Sequence, residues 1–379
     1  MRTTPEGIYA INGSKFQAIE LPSIREVRNK DYMFYGGLNL FPQSLIELYD
    51  TSAMHHTCID SITAGIIGDG IETIGEEYIN KKGETIDEIF EKVSLDYAIY
   101  QGYAVNIIWS KDRTKISEIY HLPFANVRSG KPNEEDEVEE YMHSTDWANL
   151  RKYPFNTYKS FDATDNKGDN ASQIFYFYNY TPGNEVYPLP SYVAALNDIS
   201  LDAQVSRFHN ANIHNGLAPS MILKFRNGVP SPEERRDVYK EIEKTFTGTE
   251  NAGRFFLTFS EPGKEMEVTP IDSANDDYYL LLESRISSRI LSAHRITSPL
   301  LLGLNDGASG FSSNSEEIKV AYAHFEGTVI TPKRKKIISG FGYMLKLAGF
   351  NVAIKIKPNK LVNEEQVTDT APQTNIESL

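Results

Sequence analysis

"YPLPSYVAALNDISLDAQVSRFHNANIHNG", Tyr187 to Gly216, is the stretch on which the fold turns. Pro190 suits a first helical turn, where its missing N–H is one of the unbonded donors anyway, and Asn215-Gly216 suits a left-handed C-cap. Between them Tyr192, Leu196, Ile199, Ala203 and Phe208 fall close to one helical face. About 24 residues rising about 1.5 Å each predict a rod of roughly 36 Å.

Working outward, residues 219–272 read as a compact insertion. A strand "MILKF" precedes a helix that starts at Ser231, with Glu234 three residues on and Val238, Ile242 and Phe246 as its apolar stripe; "RFFLTF" and "EMEVTPI" complete a β-α-β-β unit. A second long helix follows. Ser273 is its expected cap, Asp276 and Asp277 favour its positive end, and Tyr279, Leu282, Ile286, Ile290 and Ala293 recur at helical spacing until Pro299. A third long helix begins at Ser313, with Glu316 closing a capping box and Ile318, Ala321, Phe325 and Val329 as its stripe. Pro332 is expected to kink or restart it, with Ile337, Phe341, Met344 and Leu345 continuing the apolar face. "NVAIKIK" reads as a closing strand, and residues 361–379 as a polar, disordered tail.

Upstream, residues 44–67 put Met54, Cys58, Ile62 and Ile66 on one helical stripe closed by "GDG". Thr85 and Glu88 form a capping-box pattern ahead of Ile89, Val93, Tyr97 and Tyr100. The period then shifts to two. "YAVNIIWSKDRTKISEIYHL" reads as two strands around a Lys-Asp-Arg turn and "IFYFYNY" as a third, with "NEEDEVEE" and "DATDNKGDN" as exposed loops. Residues 1–187 thus read as an α+β domain.

A chain of 379 residues with 40% hydrophobics can bury a real core, and its length suggests two or three units. No apolar run is long enough for a membrane span, and "MRTTPEGIYAINGSKF" lacks a signal-peptide core, so the expectation is a cytosolic chain without a membrane partner. The single cysteine, Cys58, excludes a disulfide framework and reads as a small core residue. A net charge of −14 disfavours a static grip on nucleic acid but leaves open a protein that lets nucleic acid slide past.

"GLNDGASGFSSNSEE", Gly303 to Glu317, has glycines but no following lysine, and it succeeds a helix where nucleotide-binding loops succeed a strand. Ser309 in "GASGF" is one residue short of a nucleophile elbow. His55-His56 are adjacent and His209 and His214 are five apart, so neither pair has metal-ligand spacing on a helix. No cofactor and no enzymatic chemistry is expected. Lys333, Arg334, Lys335 and Lys336 form the one dense basic run; they read as a solvated face at a helix break, or else as a subunit or DNA contact.

The order of these elements, together with the Tyr187–Phe225 stretch, "SSRILSAHRITSPLLLGL" and "SSNSEEIKVAYAHFEGTVITPKRKKI", resembles the portal proteins of tailed double-stranded DNA bacteriophages, over most of residues 40–350. The resemblance implies a portal-type α+β fold: a wing from residues 1–187 and 316–360, stem helices in 188–216 and 273–299, a clip at 217–272 and a tunnel loop at 300–315. An obvious C-terminal helical crown after residue 350 is missing. It further implies a homo-oligomeric ring, usually of twelve subunits, at one capsid vertex among major capsid proteins. Such a ring passes double-stranded DNA from the large terminase subunit and later joins a head–tail adaptor. Asn305, Asp306, Ser309, Phe311, Ser312, Ser313 and Asn314 would then face the DNA channel, with Phe311 packing between neighbouring loops or anchoring its own helix. Glu233, Arg235, Arg236, Lys240 and Lys244 would meet terminase and adaptor. The competing readings are a nucleotide-dependent or hydrolytic enzyme with a glycine-rich lid, and another phage structural module such as an adaptor.

Overall fold

The computed structural model describes residues 24–26, 30–71, 78–163, 171–184, 186–214, 221–225, 231, 233, 236, 255–259, 276–304 and 315–349. The chain divides into two units, one of Met1–Leu21, Ile46–His56 and Ser191–His294, the other of Pro22–Leu45, Thr57–Pro190 and Arg295–Leu379.

The larger unit is built on a six-stranded sheet of β3 (Gly102–Trp109), β4 (Ile116–Leu122), β5 (Val127–Ser129), β6 (Glu140–His143), β7 (Asn156–Ser160) and β8 (Ser172–Tyr178), in the order β4-β3-β8-β7-β6-β5. All neighbours are antiparallel except β7 and β8. A separate antiparallel pair, β1 (Ile24–Glu26) and β2 (Met33–Tyr35), lies in the same unit. Six of the eight residues of β3 are buried, as expected of a strand covered on both faces. The turn to β4 is held by Asp112, whose carboxylate accepts from Ser110 Oγ at 2.6 Å and Thr114 Oγ1 at 2.9 Å.

Helix α3 (Ile86–Tyr100) has the capping box read from Thr85 and Glu88, and it ends on Gln101 in the left-handed region at φ 63°. Its buried stripe of Ile89, Val93, Tyr97 and Tyr100 is the expected one. Further along the chain, α6 (Ser315–Phe325) runs through a π-helical turn, Glu326–Ile330, into α7 (Thr331–Leu347). The expected break at Pro332 therefore takes the form of a widened turn. A proline removes an N–H and pushes on the carbonyl four residues back, and the extra residue of a π turn relieves both demands. Phe341 of α7 packs on Phe90 of α3 with ring centroids 5.8 Å apart. Gly340 admits β3 closely, because a Cβ there would stand 2.5 Å from Tyr103 Oη.

At the β5 edge a guanidinium is wholly buried. Arg128 is 0% exposed, and all five of its donors have oxygen acceptors: Asn39 Oδ1 at 2.7 Å, the carbonyls of Ala125 and Val127 at 2.8 Å, that of Asn39 at 2.7 Å, and Gln43 Oε1 at 3.1 Å. Trp147 covers it at 4.8 Å. Burial pulls its pKa down, opposed by the tyrosines around it, of which Tyr35 and Tyr187 stack at 4.2 Å.

Sequence read one helix over residues 44–67, where the structure has two, α1 (Phe41–Thr51) and α2 (Ala53–Ile67). The break falls at Ser52, whose hydroxyl accepts from the His55 N–H at 3.3 Å and donates to Asp202 at 2.6 Å, serving as the N-cap of α2. In the smaller unit α4 (Leu196–His214) begins six residues after Pro190, behind a 3₁₀ turn at Val193–Ala195. Tyr192, Leu196, Ile199 and Ala203 are buried as expected, but Phe208 is 43% exposed. Helix α5 (Asp276–Ala293) ends well before Pro299, at Arg295 in the left-handed region with φ 61°; Pro299 instead opens a 3₁₀ turn. Arg289 meets Asp198 at 3.2 Å and His209 meets Glu283 at 3.0 Å, an order that sets α4 and α5 antiparallel. In the insertion β9 (Met221–Phe225) and β10 (Phe255–Phe259) pair in parallel, as a crossover requires. The expected strands at "EMEVTPI" and "NVAIKIK", the caps Ser273 and Ser313, and the C-terminal tail lie outside the described residues.

Replacing Arg128 by Met should cost about 3 kcal/mol or more, since several buried oxygens lose their donors at once. Arg128→Lys should recover only a minor part, because one ammonium cannot reach acceptors spread around a planar fork. Urea denaturation of the three proteins measures both.

Candidate functional site

The glycine-rich segment is described only at its ends. On one side the 3₁₀ turn Pro299–Leu302 closes on Gly303 at φ 73°, a conformation that favours glycine, and Leu304 is 42% exposed; on the other, Ser315 starts α6. Asn305, Asp306, Ser309, Phe311, Ser312, Ser313 and Asn314 lie outside the described residues. In the insertion, Glu233 and Arg236 are helical and exposed, while Arg235, Lys240 and Lys244 lie outside the described residues.

The basic run is the best-defined part of the sequence-derived site, and its four members diverge. Arg334 turns inward. Its Nε donates to Ile66 O at 3.1 Å, Nη2 to Gly65 O, and Nη1 to Glu326 at 2.8 Å, so it closes the carbonyl end of α2. The approach is tight, for a Cβ on Gly65 would stand 2.7 Å from Ile330 Cδ1. Lys333 lies over the Tyr97 ring at 5.7 Å; burial, then Lys336 and Arg295, bring its amine down to about 8. Lys336 donates to Asn179 Oδ1 at 3.1 Å, and Lys335 is exposed.

Two histidines escaped sequence reasoning because their partners are distant in the chain. His55 Nδ1 lies 2.9 Å from His294 Nε2, with Tyr192 against both rings at 4.5 and 4.9 Å. Both are buried, at 0% and 3% exposure. Burial, followed by the neighbouring His56, takes His55 down to about 3, so it is neutral at physiological pH. At this contact one ring nitrogen donates and the other accepts. The pair is a core contact inside the smaller unit. The only hint in the sequence was the position of His55, one residue off the apolar stripe.

Among the described residues no group of three or more His, Cys, Asp or Glu side chains could hold a metal, and no helix is long and apolar enough to cross a membrane. A shallow cavity of about 200 Å³ beside Tyr78, Ile116 and Glu118 is smaller than the pockets that bury small ligands, which run upward of roughly 300 Å³.

The sequence model of the family described as phage portal protein matches residues 81–372, well over half of the chain. Among solved structures, a chain in the neck of an empty gene transfer agent (GTA) particle computed with C6 symmetry is 16% identical, with a TM-score of 0.54 over 86% of this chain and 85% of that one. A chain in the neck of the native GTA particle computed with C12 symmetry is 15% identical, with a TM-score of 0.51 over 83% and 84%. A relative from Rickettsia bellii (strain RML369-C), itself an uncharacterized protein, is 30% identical over 153 residues; the match spans 40% of this chain and 38% of that relative. The chain thus spans about two fifths of the length of the curated relatives it matches. The fold is of the mixed α+β, portal type shared with the GTA neck chains. The chain belongs to the phage portal protein family.

The His55–His294 pair gives a pH signature. The folded pKa of His55 is depressed, to about 3 from 6.5, so the unfolded chain binds more protons between those values and stability falls as pH drops through that window. Between pH 7 and pH 5 the loss from this group should be about 2 kcal/mol. Melting curves of the wild type and His55→Gln across that range should show a shallower pH slope for the variant.

Proposed function

We propose that this chain is a portal subunit: about twelve copies close into a ring at one vertex of a virion and conduct double-stranded DNA during packaging, retention and ejection. Membership of the portal family carries the reading. The C6 and C12 symmetries of the similar neck particles support a ring. In this reading residues 1–187 and 316–360 form the wing, 188–216 and 273–299 the stem, and 217–272 the clip. The clip, with Glu233, Arg235, Arg236, Lys240 and Lys244, docks the large terminase subunit and then the head–tail adaptor, while the major capsid protein surrounds the ring. The role is structural, and the chemistry of translocation belongs to the terminase.

Residues 300–315 converge on the axis as the tunnel loop. Between Gly303 and Glu317 there is no Lys or Arg, and Asn305, Ser309, Ser312, Ser313 and Asn314 offer neutral hydrogen-bonding groups. Each lysine or arginine paired with phosphate adds binding free energy that must be undone at every step of a moving duplex. A loop without cations therefore suits sliding.

Placing arginine at Ser309 and Ser312 together should lower the amount of DNA packaged per particle, most strongly at low salt, while the ring still assembles. Unchanged packaging in particles that carry the double variant would count against the loop as the channel lining.

A further inference from the structure

Several cations of the larger unit are matched inside the chain: Arg334 with Glu326, Lys81 with Glu118, Lys92 with Glu84. Another set is not. Lys336 and Arg295 both act on Lys333, and no carboxylate stands among the groups that set its ionisation. Among the described residues none of these three, nor Lys335, forms a salt bridge. Lys333 and Lys336 are three apart on α7, hence on one face. One hydrogen-bonded pair holds both, since Lys336 donates to Asn179 while Asn179 Nδ2 donates at 2.6 Å to Oη of Tyr97 on α3, over whose ring Lys333 lies. A patch held this way has already lost much of the side-chain freedom that binding would otherwise cost it.

The complementary feature lies elsewhere on the same unit. The loop between β5 and β6 exposes Glu134, Glu135, Asp136 and Glu137. Its shape is fixed by Asn133, whose Oδ1 accepts from the N–H groups of Glu135 and Glu137, each at 2.9 Å. None of these four carboxylates forms a salt bridge among the described residues. They cannot be served by the patch of their own chain, to which no ion pair links them; β6 and β5 stand two and three strands away from β8, at whose end Asn179 follows.

Resting on the ring reading above, we infer that the basic patch of Arg295, Lys333, Lys335 and Lys336 receives the acidic loop Glu134–Glu137 of a second copy of this chain. A ring closes through a heterologous contact, in which two different surfaces of one subunit meet their complements on its neighbours. One rigid positive patch and one rigid negative loop on each copy supply that asymmetry. Exposed ion pairs add little affinity singly, so their main effect is on register, encounter rate and discrimination against wrong contacts.

The test uses the full chain and counts rings by mass photometry at low salt. Arg295→Glu with Lys335→Glu and Lys336→Glu makes both surfaces negative, and Glu134→Lys with Glu135→Lys and Glu137→Lys makes both positive; each triple variant should lose rings by about fivefold or more, with unchanged melting temperature. An equimolar mixture of the two should recover them, because alternating copies restore every contact. A variant that merely unfolds cannot be rescued in this way. Rings from either variant alone at the wild-type level, or no recovery on mixing, would overturn the inference while leaving the ring reading intact. A wild-type chain that forms no ring would instead remove the reading on which it rests.

Discussion

A buried cation without a carboxylate is the constraint around which the larger unit is organised. Arg128 is fully removed from water, and what keeps it there is a shell of neutral oxygens from Asn39, Gln43, Ala125 and Val127, with Trp147 over its face. Desolvating a charge costs several kcal/mol unless every donor is met, so the shell must be complete. Completeness fixes several elements at once. The turn at Asn39, the start of α1, the 3₁₀ turn at Phe124–Asn126 and strand β5 have to converge on one fork-shaped group. Neighbouring tyrosines extend the arrangement, for Tyr187 Oη accepts from Ser129 N at 2.9 Å and donates to Met33 O at 2.7 Å.

Arg334 repeats the device on the other side of the unit, closing the end of α2 with its guanidinium while Glu326 takes the remaining fork position. In both places arginine serves as a bracket between elements far apart in sequence. The consequence for the surface is a sorting of charge. Arg128 and Arg334 are withdrawn from partners, while Lys333, Lys335, Lys336 and Arg295 remain as a basic group, set against a chain whose net charge is −14. An assembly of like-charged copies is opposed by its own field unless opposite patches meet at each contact. The same run of four basic residues therefore holds one structural bracket and part of one exposed patch, a division that spacing could not reveal.

Much of the fold was legible. The capping box at Thr85 and Glu88, the stripe of Ile337, Phe341, Met344 and Leu345, and the hairpin around Lys111-Asp112-Arg113 all follow from local periodicity and turn chemistry, which act over a few residues. What stayed hidden depends on distant partners. Strands β5, β6 and β7 are three to five residues long and carry polar residues such as Arg128, Asn156 and Lys159, so alternation gives no signal. Pro299 and Pro190 misled the boundaries of α5 and α4, because a left-handed Arg295 and a 3₁₀ turn at Val193–Ala195 acted first. For His55 the sequence showed only that it lacks metal-ligand spacing, and only folding brings His294 to 2.9 Å from it. Of the candidate site, sequence located the basic run but not its division, and the channel residues rest on the family's architecture.

The central claim is that copies of this chain close around an axis. Single-particle imaging of the purified protein, alone and with its capsid partners, tests it most directly. The account predicts annular particles of about twelve subunits with a central opening wide enough for a DNA duplex. Particles that remain monomeric, or oligomers that enclose no opening, would contradict it.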